Sequence, residues 1–441
     1  MKKNNLYLVG RGDANLVNNG HYSDFFWAIN SNFDLSRVYY NSKETLNIKA
    51  FTEKKIKLVD GFHTSKNYNI STITKINQNK INKSSDEKKI LNLAQKFNNE
   101  VHLYQQFFYE KNIKIYFTWH KFNSSHLALG QAVRNIGGIS IYWPTSFDGL
   151  PFYDSRCDFD IIFSYSRFNA MNDIKSGSNF KYNIITGYIR DHSKSLLIEE
   201  SKKIRNKFEQ YGVKKVVFVV DENGLSDDRW HTGLDLQKDN YRYILEKVLT
   251  TPWLGVIFKP KNSITLPARL AEVNDLLIEA ENTGRCIVLR KKNSYNPPPL
   301  LAGLVSDLCI HSHLDAGTVG LECALAGIPT LLIDREGCPY SKLSELPKNK
   351  VVFNNWPQTI DAMMNYFKMK DIDLEFGNWD SIINDLDPFR DGNAANRIGK
   401  LMNTIITKLD SGENKDNAMK FAVDEYTKKW GNDKILTMSS G

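Results

Sequence analysis

The second half of the chain alternates unbroken apolar runs with helical patterns, and this alternation constrains the fold more than any other feature. Lys214 to Val220, Trp253 to Phe258, Cys286 to Leu289, Leu308 to Ile310 and Thr330 to Ile333 each read as a buried strand. A strand wetted on one side would alternate apolar with polar residues, so these runs predict a parallel sheet covered on both faces. Helical patterns at Asn240 to Leu249, Leu266 to Ala280 and Thr318 to Ala326 separate them, as in a chain of βαβ units.

The first half repeats the plan. Strands are predicted at Leu6 to Val9, Ile113 to Thr118, Ile139 to Trp143, Phe159 to Phe163 and Asn183 to Thr186. A helix starts at Ser84, where Glu87 completes a capping box, and its stripe Ile90, Ala94, Phe97, Val101, Tyr104 and Phe108 is expected to be core. Thr64 to Lys83 reads as a loop. The length of 441 residues is about three times a usual domain of roughly 150. The predicted division is 1–193, 194–386 and a helical tail, 387–441, whose two apolar stripes (Ile398 to Leu409, Met419 to Trp430) need a surface and are expected to pack back on the first domain.

Composition excludes several classes. With 41% apolar and 24% charged residues the chain is neither disordered nor disulfide-stapled. No run of about eighteen apolar residues predicts a membrane span, and no secretory signal fits. The net charge of +8 is spread along the chain, so no nucleic-acid partner is expected. Five cysteines without a C-x-x-C pair (Cys157, Cys286, Cys309, Cys323, Cys338) read as buried thiols in a reducing cytoplasm.

The sharpest stretch runs from Ser306 to Asp334. A strand ends in His311-Ser312-His313, Gly317 permits a tight turn, and a helix opens at Thr318 with unpaired N–H groups, a ready anion site at the edge of a parallel sheet. Lys259 and Lys261, just past another strand, can add cationic contacts. His311 and His313 could hold a metal, but no third ligand has a recognisable spacing, so none is expected and phosphate or sugar contact is preferred. Asp221 and Glu222 follow the first strand of the second domain. In the first domain Asp13, His120 and Asp148 leave strand ends and could do acid-base work. Gly10-Arg11-Gly12-Asp13-Ala14-Asn15 has Asn15 where a dinucleotide fingerprint needs glycine, and no P-loop or G-x-S-x-G elbow occurs.

Gly320-Leu321-Glu322-Cys323-Ala324-Leu325-Ala326-Gly327-Ile328-Pro329 resembles the Gly-Leu-Glu-Ala-x-x-x-Gly-x-Pro stretch of GT-B glycosyltransferases, with cysteine in place of alanine. Asp387-Pro388-Phe389-Arg390-Asp391-Gly392-Asn393 to Ile398, with Tyr426 and Trp430, is similar to the tail of bacterial capsule and O-antigen transferases. The likeness covers Lys214 to the end.

It implies a GT-B α/β fold, two Rossmann-like doubly wound domains facing across a cleft, with C-terminal helices. It further implies a metal-independent cytoplasmic glycosyltransferase of surface-polysaccharide assembly, peripheral at the inner face of the membrane. The first domain would bind a lipid-linked glycan acceptor and the second a nucleotide-sugar donor as substrate, with no further cofactor. Thr318 and Gly317 would hold the donor phosphate and Glu322 its hydroxyls. A CMP-linked donor such as CMP-Kdo suits one helix terminus plus a lysine, and a UDP-linked donor stays open.

In a retaining enzyme Asp221, first beyond its strand, would be the nucleophile, served by His120 or Asp148 from the first domain; inversion stays open. Trp119, Trp143, Phe147, Phe152 and Tyr153 are expected to stack on acceptor sugars. The alternatives are a non-hydrolysing nucleotide-sugar epimerase and a non-catalytic glycan-binding assembly protein.

Overall fold

In the strand Lys215–Asp221, alternate residues serve different cores. Val217 and Val219 join a cluster with Tyr241, Ile244, Leu277 and Met363, whereas Val216, Phe218 and Val220 join one with Phe208, Ala302 and Cys323. The helices Leu234–Thr250, Val273–Asn282 and Trp356–Lys368 therefore cover one face, and Ser193–Gln210, Pro299–Val305 and Thr318–Leu325 the other. Burial on both faces is what excludes polar residues from these strands.

The computed structural model describes residues 3–10, 23–28, 31–41, 48–59, 84–222, 233–291, 296–314, 317–335, 337, 339–369 and 373–438. The chain forms two units, one of residues 1–145, 151–190 and 393–441, the other of 146–150 and 191–392. Unit 1 holds β1 (Asn5–Val9), β2 (Val38–Asn41), β3 (Lys57–Val59), β4 (Ile113–Thr118), β5 (Ile139–Tyr142), β6 (Asp158–Ser164) and β7 (Asn179–Ile185). Unit 2 holds β8 (Lys215–Asp221), β9 (Leu254–Pro260), β10 (Cys286–Val288), β11 (Leu308–His311), β12 (Thr330–Ile333) and β13 (Val352–Phe353), and β14 (Ile435–Leu436) returns to unit 1. The strand orders are β14-β7-β6-β5-β4-β1-β2-β3 and β10-β9-β8-β11-β12-β13. Among the described residues all strand pairings are parallel except that of β14 with β7.

Unit 1 has its own two cores. Tyr7, Tyr116 and Ile162 pack beneath the helices Ser85–Glu110 and Ser124–Asn135, while Phe117 meets Trp27, ring centres 5.4 Å apart, on the opposite side. The helix Ala394–Asp410 packs there too, burying Ile398, Leu401, Met402, Ile405 and Ile406. Arg397, in the same helix, donates to the Thr186 carbonyl at 3.0 Å and lies 4.5 Å over the Trp430 ring.

Several sequence expectations need correction. Residues 146–150 belong to unit 2, because Phe147 N–H donates to Thr318 Oγ1 at 2.8 Å and Lys342 N–H to the Gly149 carbonyl at 3.0 Å. The capping box at Ser84 is present, but Ile90 is 64% exposed: the core buries Val101, Tyr104 and Phe108 of the stripe, and Phe97 packs half-buried against it. The predicted helix Leu266 to Ala280 is two, Leu266–Leu270 and Val273–Asn282, parted where Ala271 takes a φ of 46°. Trp143 and Phe147 are buried core residues, unavailable for stacking on a sugar. The predicted loop 64–83 and Cys338 lie outside the described residues, and Cys157, Cys286, Cys309 and Cys323 are free buried thiols. No helix among the described residues is long and apolar enough to cross a membrane.

Candidate functional site

The strand order of unit 2 reverses at the β8/β11 pair, since β9 and β10 extend from β8 on one side and β12 and β13 from β11 on the other. In doubly wound sheets such a reversal opens a crevice beyond the carboxyl ends of the two strands, where ligands bind. Here β8 delivers Asp221 and Glu222, and β11 delivers His311, followed by Ser312 and His313. The sequence separates these groups by about ninety residues, and only the pairing of Val219 with Ile310 brings them together.

Asp221 and Glu222 are neighbours with different surroundings. Both oxygens of Asp221 are taken: Oδ1 accepts from Gln237 Nε2 and from Arg269 Nη1 at 3.3 Å, and Oδ2 from Tyr241 Oη at 3.0 Å and Arg269 Nη2 at 3.3 Å. Burial pushes its carboxyl up to about 6, against the opposing pull of the Arg269 guanidinium. This corrects the expectation of Asp221 as nucleophile, because its lone pairs are committed within the protein. Arg269, Gln237 and Tyr241 escape a sequence reading, because nothing in their spacing points to Asp221.

Glu222 faces the crevice instead. Its Oε1 lies 3.4 Å from His311 Nε2 and 3.5 Å from His313 Nε2, with 30% of its side chain exposed. Burial alone would raise its carboxyl, yet the two imidazoles hold it well below the usual carboxylate range. The strand-end residues are fixed from behind: Ser312 Oγ accepts from Asn240 at 3.0 Å, and Asn240 accepts from Trp356 Nε1 at 3.0 Å.

The helix Thr318–Leu325 starts beside this edge with Gly317 as its N-cap and no side-chain cap bond. It packs so closely on β11 that a Cβ on Gly320 would stand 3.5 Å from His311 Cβ. Thr318 Oγ1 accepts from Phe147 N–H, which leaves its O–H able to donate, so an anion here would meet the backbone N–H groups of the first turn and this hydroxyl. Glu322 is buried. Gly327, at φ 83°, ends the segment as its sequence position implies.

Lys259, at the end of β9, is buried and donates to the Pro260 carbonyl at 2.6 Å; burial brings its ammonium down to about 8, against the pull of Asp221. Lys261 is exposed in the following loop. Asp148 lies in the segment that belongs to unit 2, not in the first domain as expected. In unit 1 the strand order reverses at the β1/β4 pair, and His120 follows β4. Its Nδ1 accepts from Phe122 N–H at 3.3 Å and its ring stacks on His126 with centres 4.5 Å apart. Asp13 lies outside the described residues.

Solved structures share this architecture along most of the chain. UDP-GlcNAc 2-epimerase from Neisseria meningitidis bound to UDP-GlcNAc superposes with a TM-score of 0.52 at 13% identity, covering 90% of this chain and 98% of that one. The S. aureus MnaA-UDP structure gives 0.51 at 10% identity, covering 92% and 96%. UDP-GlcNAc 2-epimerase from Methanocaldococcus jannaschii with UDP-GlcNAc and UDP gives 0.50 at 10% identity, covering 90% and 99%. No protein-family model and no curated protein matches the chain. Similarity at this level of identity shows the fold alone: the chain has a GT-B-like fold of two parallel-sheet α/β units.

Proposed function

We propose that the chain is an enzyme acting on a nucleotide sugar, held by unit 2 at the β8/β11 crevice, and that the reaction is glycosyl transfer in surface-glycan assembly. The observation that carries the reading is Glu222 set against His311 and His313 where the strand order reverses, beside a helix N-terminus without a side-chain cap. A phosphate near Thr318 would meet backbone N–H groups and the Lys259 ammonium, which stabilise charge as the leaving group departs. Glu222, whose side chain is 30% exposed, replaces Asp221 as the carboxylate that faces the crevice. The lipid-linked acceptor, the inner-membrane setting and the preference for a CMP-linked donor rest on the sequence resemblance. UDP is the nucleotide in the solved structures of the same fold.

Epimerisation is the second reading, favoured by the solved epimerases of this fold. It requires removal of a carbon-bound proton and its return to the opposite face, which calls for two strong acid-base groups. The acid-base candidates that follow β1, β4 and β5 are Asp13, which lies outside the described residues, His120 and Asp148. Transfer needs only an oxygen-bound proton to be accepted.

Incubation with UDP-GlcNAc in D2O separates the readings. An epimerase incorporates deuterium at C2 and forms the 2-epimer without an acceptor, whereas a transferase does neither and releases nucleotide only when an acceptor is added. A panel of CMP and UDP in thermal-shift assays identifies the nucleotide; stabilisation by neither overturns the proposal.

Lys259 supplies a further prediction. Its folded-state value of about 8 lies below the ordinary 10.5, so at pH 7 the fold holds a charge it disfavours, and stability rises as pH climbs from about 8 to 10.5. Lys259→Met should therefore stabilise the protein at pH 7 by about 1–2 kcal/mol after the lost Pro260 hydrogen bond is counted. The same variant should bind nucleotide about tenfold more weakly. Calorimetric unfolding and titration of the nucleotide read the two effects; unchanged affinity would remove Lys259 from the site.

A further inference from the structure

We propose that Glu222, His311 and His313 form a binding site for one divalent transition-metal ion of the zinc class. His311 closes β11 and His313 lies two residues on, so the extended chain turns both imidazoles to one side. The neighbouring strand β8 ends one residue before Glu222, which supplies the third group that spacing alone did not reveal. Among the described residues this is the one group of three potential metal ligands, with donor atoms all within 4.8 Å of one another.

The two separations from Glu222 suit a metal ion. Glu222 Oε1 stands 3.4 and 3.5 Å from the two Nε2 atoms, beyond the usual N–H···O range of about 2.7–3.2 Å. Bonds of about 2.0–2.1 Å from a tetrahedral zinc ion to nitrogen and oxygen put its ligand atoms about 3.3–3.4 Å apart.

The orientation of His311 agrees. Its Nδ1 lies 3.1 Å from the His313 carbonyl oxygen, which can only accept, so Nδ1 carries the proton. Nε2 is then the ring atom that faces the Glu222 carboxylate, and a cation fits at their meeting point. A ring N–H given to a backbone carbonyl is also how metal-bound histidines are commonly held.

The surroundings suit a dication. Both imidazoles are buried, at 1% and 2% side-chain exposure, while the 30% exposure of Glu222 leaves a way in. The backbone carbonyl of Glu222 accepts from Arg269 at 3.3 Å and from Gln237, and Ser312 is tied to Asn240, so the ligands sit on a braced edge. Asp221 is already matched by Arg269, leaving the Glu222 charge to the ion. Three protein ligands leave a fourth position for water or an anionic oxygen. That this oxygen belongs to a donor phosphate rests on the nucleotide-sugar reading; the metal site does not.

The test uses the full chain after chelator treatment and desalting. Titration with Co2+ should give visible d–d absorption of tetrahedral intensity that saturates at one equivalent and is bleached by Zn2+. Isothermal titration with Zn2+ should give the same stoichiometry. Glu222→Gln and His313→Asn, with unchanged circular dichroism, should each weaken binding at least about 10²-fold, while exposed His102→Asn should leave it unchanged. Absence of absorption and heat in the unaltered chain overturns the site and leaves the imidazoles as proton-bearing partners of Glu222. Undiminished binding in the Glu222 and His313 variants overturns it equally. UDP binding to the chelator-treated chain tests the nucleotide reading separately.

Discussion

Asp221→Ala should destabilise the protein by about 3–5 kcal/mol, the usual cost of stranding one partner of a buried ion pair. The Asp221 side chain has no solvent exposure and that of Arg269 has 8%. Removing the carboxylate leaves the guanidinium with the carbonyls of Glu222 and Asn262 but without a counter-charge. It also strands Tyr241 Oη, in a fully buried ring that stacks on Phe258 at 4.2 Å. Asp221→Leu combined with Arg269→Met should recover most of the loss, since replacing both partners by apolar groups of similar volume is often nearly neutral. Urea unfolding of the two variants measures both effects. An unfolding midpoint for Asp221→Ala equal to that of the unaltered chain would contradict the structural role and return Asp221 to candidacy as the reacting group.

The contrast between Asp221 and Glu222 marks where sequence reasoning stops. The apolar runs announce their strands because burial on both faces forbids polar residues, and doubly wound sheets carry function at strand ends, so His311, His313, Glu222 and Lys259 were all legible as site candidates. Their partnerships were not. Which carboxylate faces the crevice depends on Arg269, forty-eight positions away, in a helix whose break at Ala271 has no composition signal. The convergence of Glu222 on the two histidines depends on β8 and β11 being neighbours, a fact of strand order that no local pattern encodes. The aromatic residues misled for a related reason: Trp143 and Phe147 look like sugar platforms beside strand ends, yet large rings in such positions are also what fills a core. Ile90 keeps the helical periodicity of the helix Ser85–Glu110 but is 64% exposed, because periodicity specifies a face and not its partner.

Gly399→Ala should destabilise unit 1 by about 3 kcal/mol or more, the upper range for overpacking. The helix Ala394–Asp410 approaches the turn at Phe26–Ala28 so closely that a Cβ on Gly399 would stand 1.9 Å from the Trp27 carbonyl oxygen and 2.4 Å from Ser31 Cβ. The first obstacle is backbone and cannot rotate away, so the helix itself must shift. That shift would strain the contacts that join the C-terminal segment to unit 1: Arg397 on the Thr186 carbonyl, Tyr426 Oη donating to the Ile185 carbonyl at 2.6 Å, and β14 paired with β7. Deletion of residues 393–441 is the extreme case. It removes the cover from the unit 1 sheet together with the buried side chains of Ile398, Leu401, Met402, Ile405 and Ile406. At about 1.5–3 kcal/mol for each large apolar side chain, the loss is on the order of 10 kcal/mol, comparable with the whole stability of a typical domain. The truncated chain should therefore be insoluble or fail to unfold cooperatively, whereas Gly399→Ala should remain folded with a lower melting temperature. Differential scanning calorimetry of both variants is the measurement. A soluble truncated chain that melts cooperatively near the temperature of the full chain would show that these helices lie on unit 1 without holding it together.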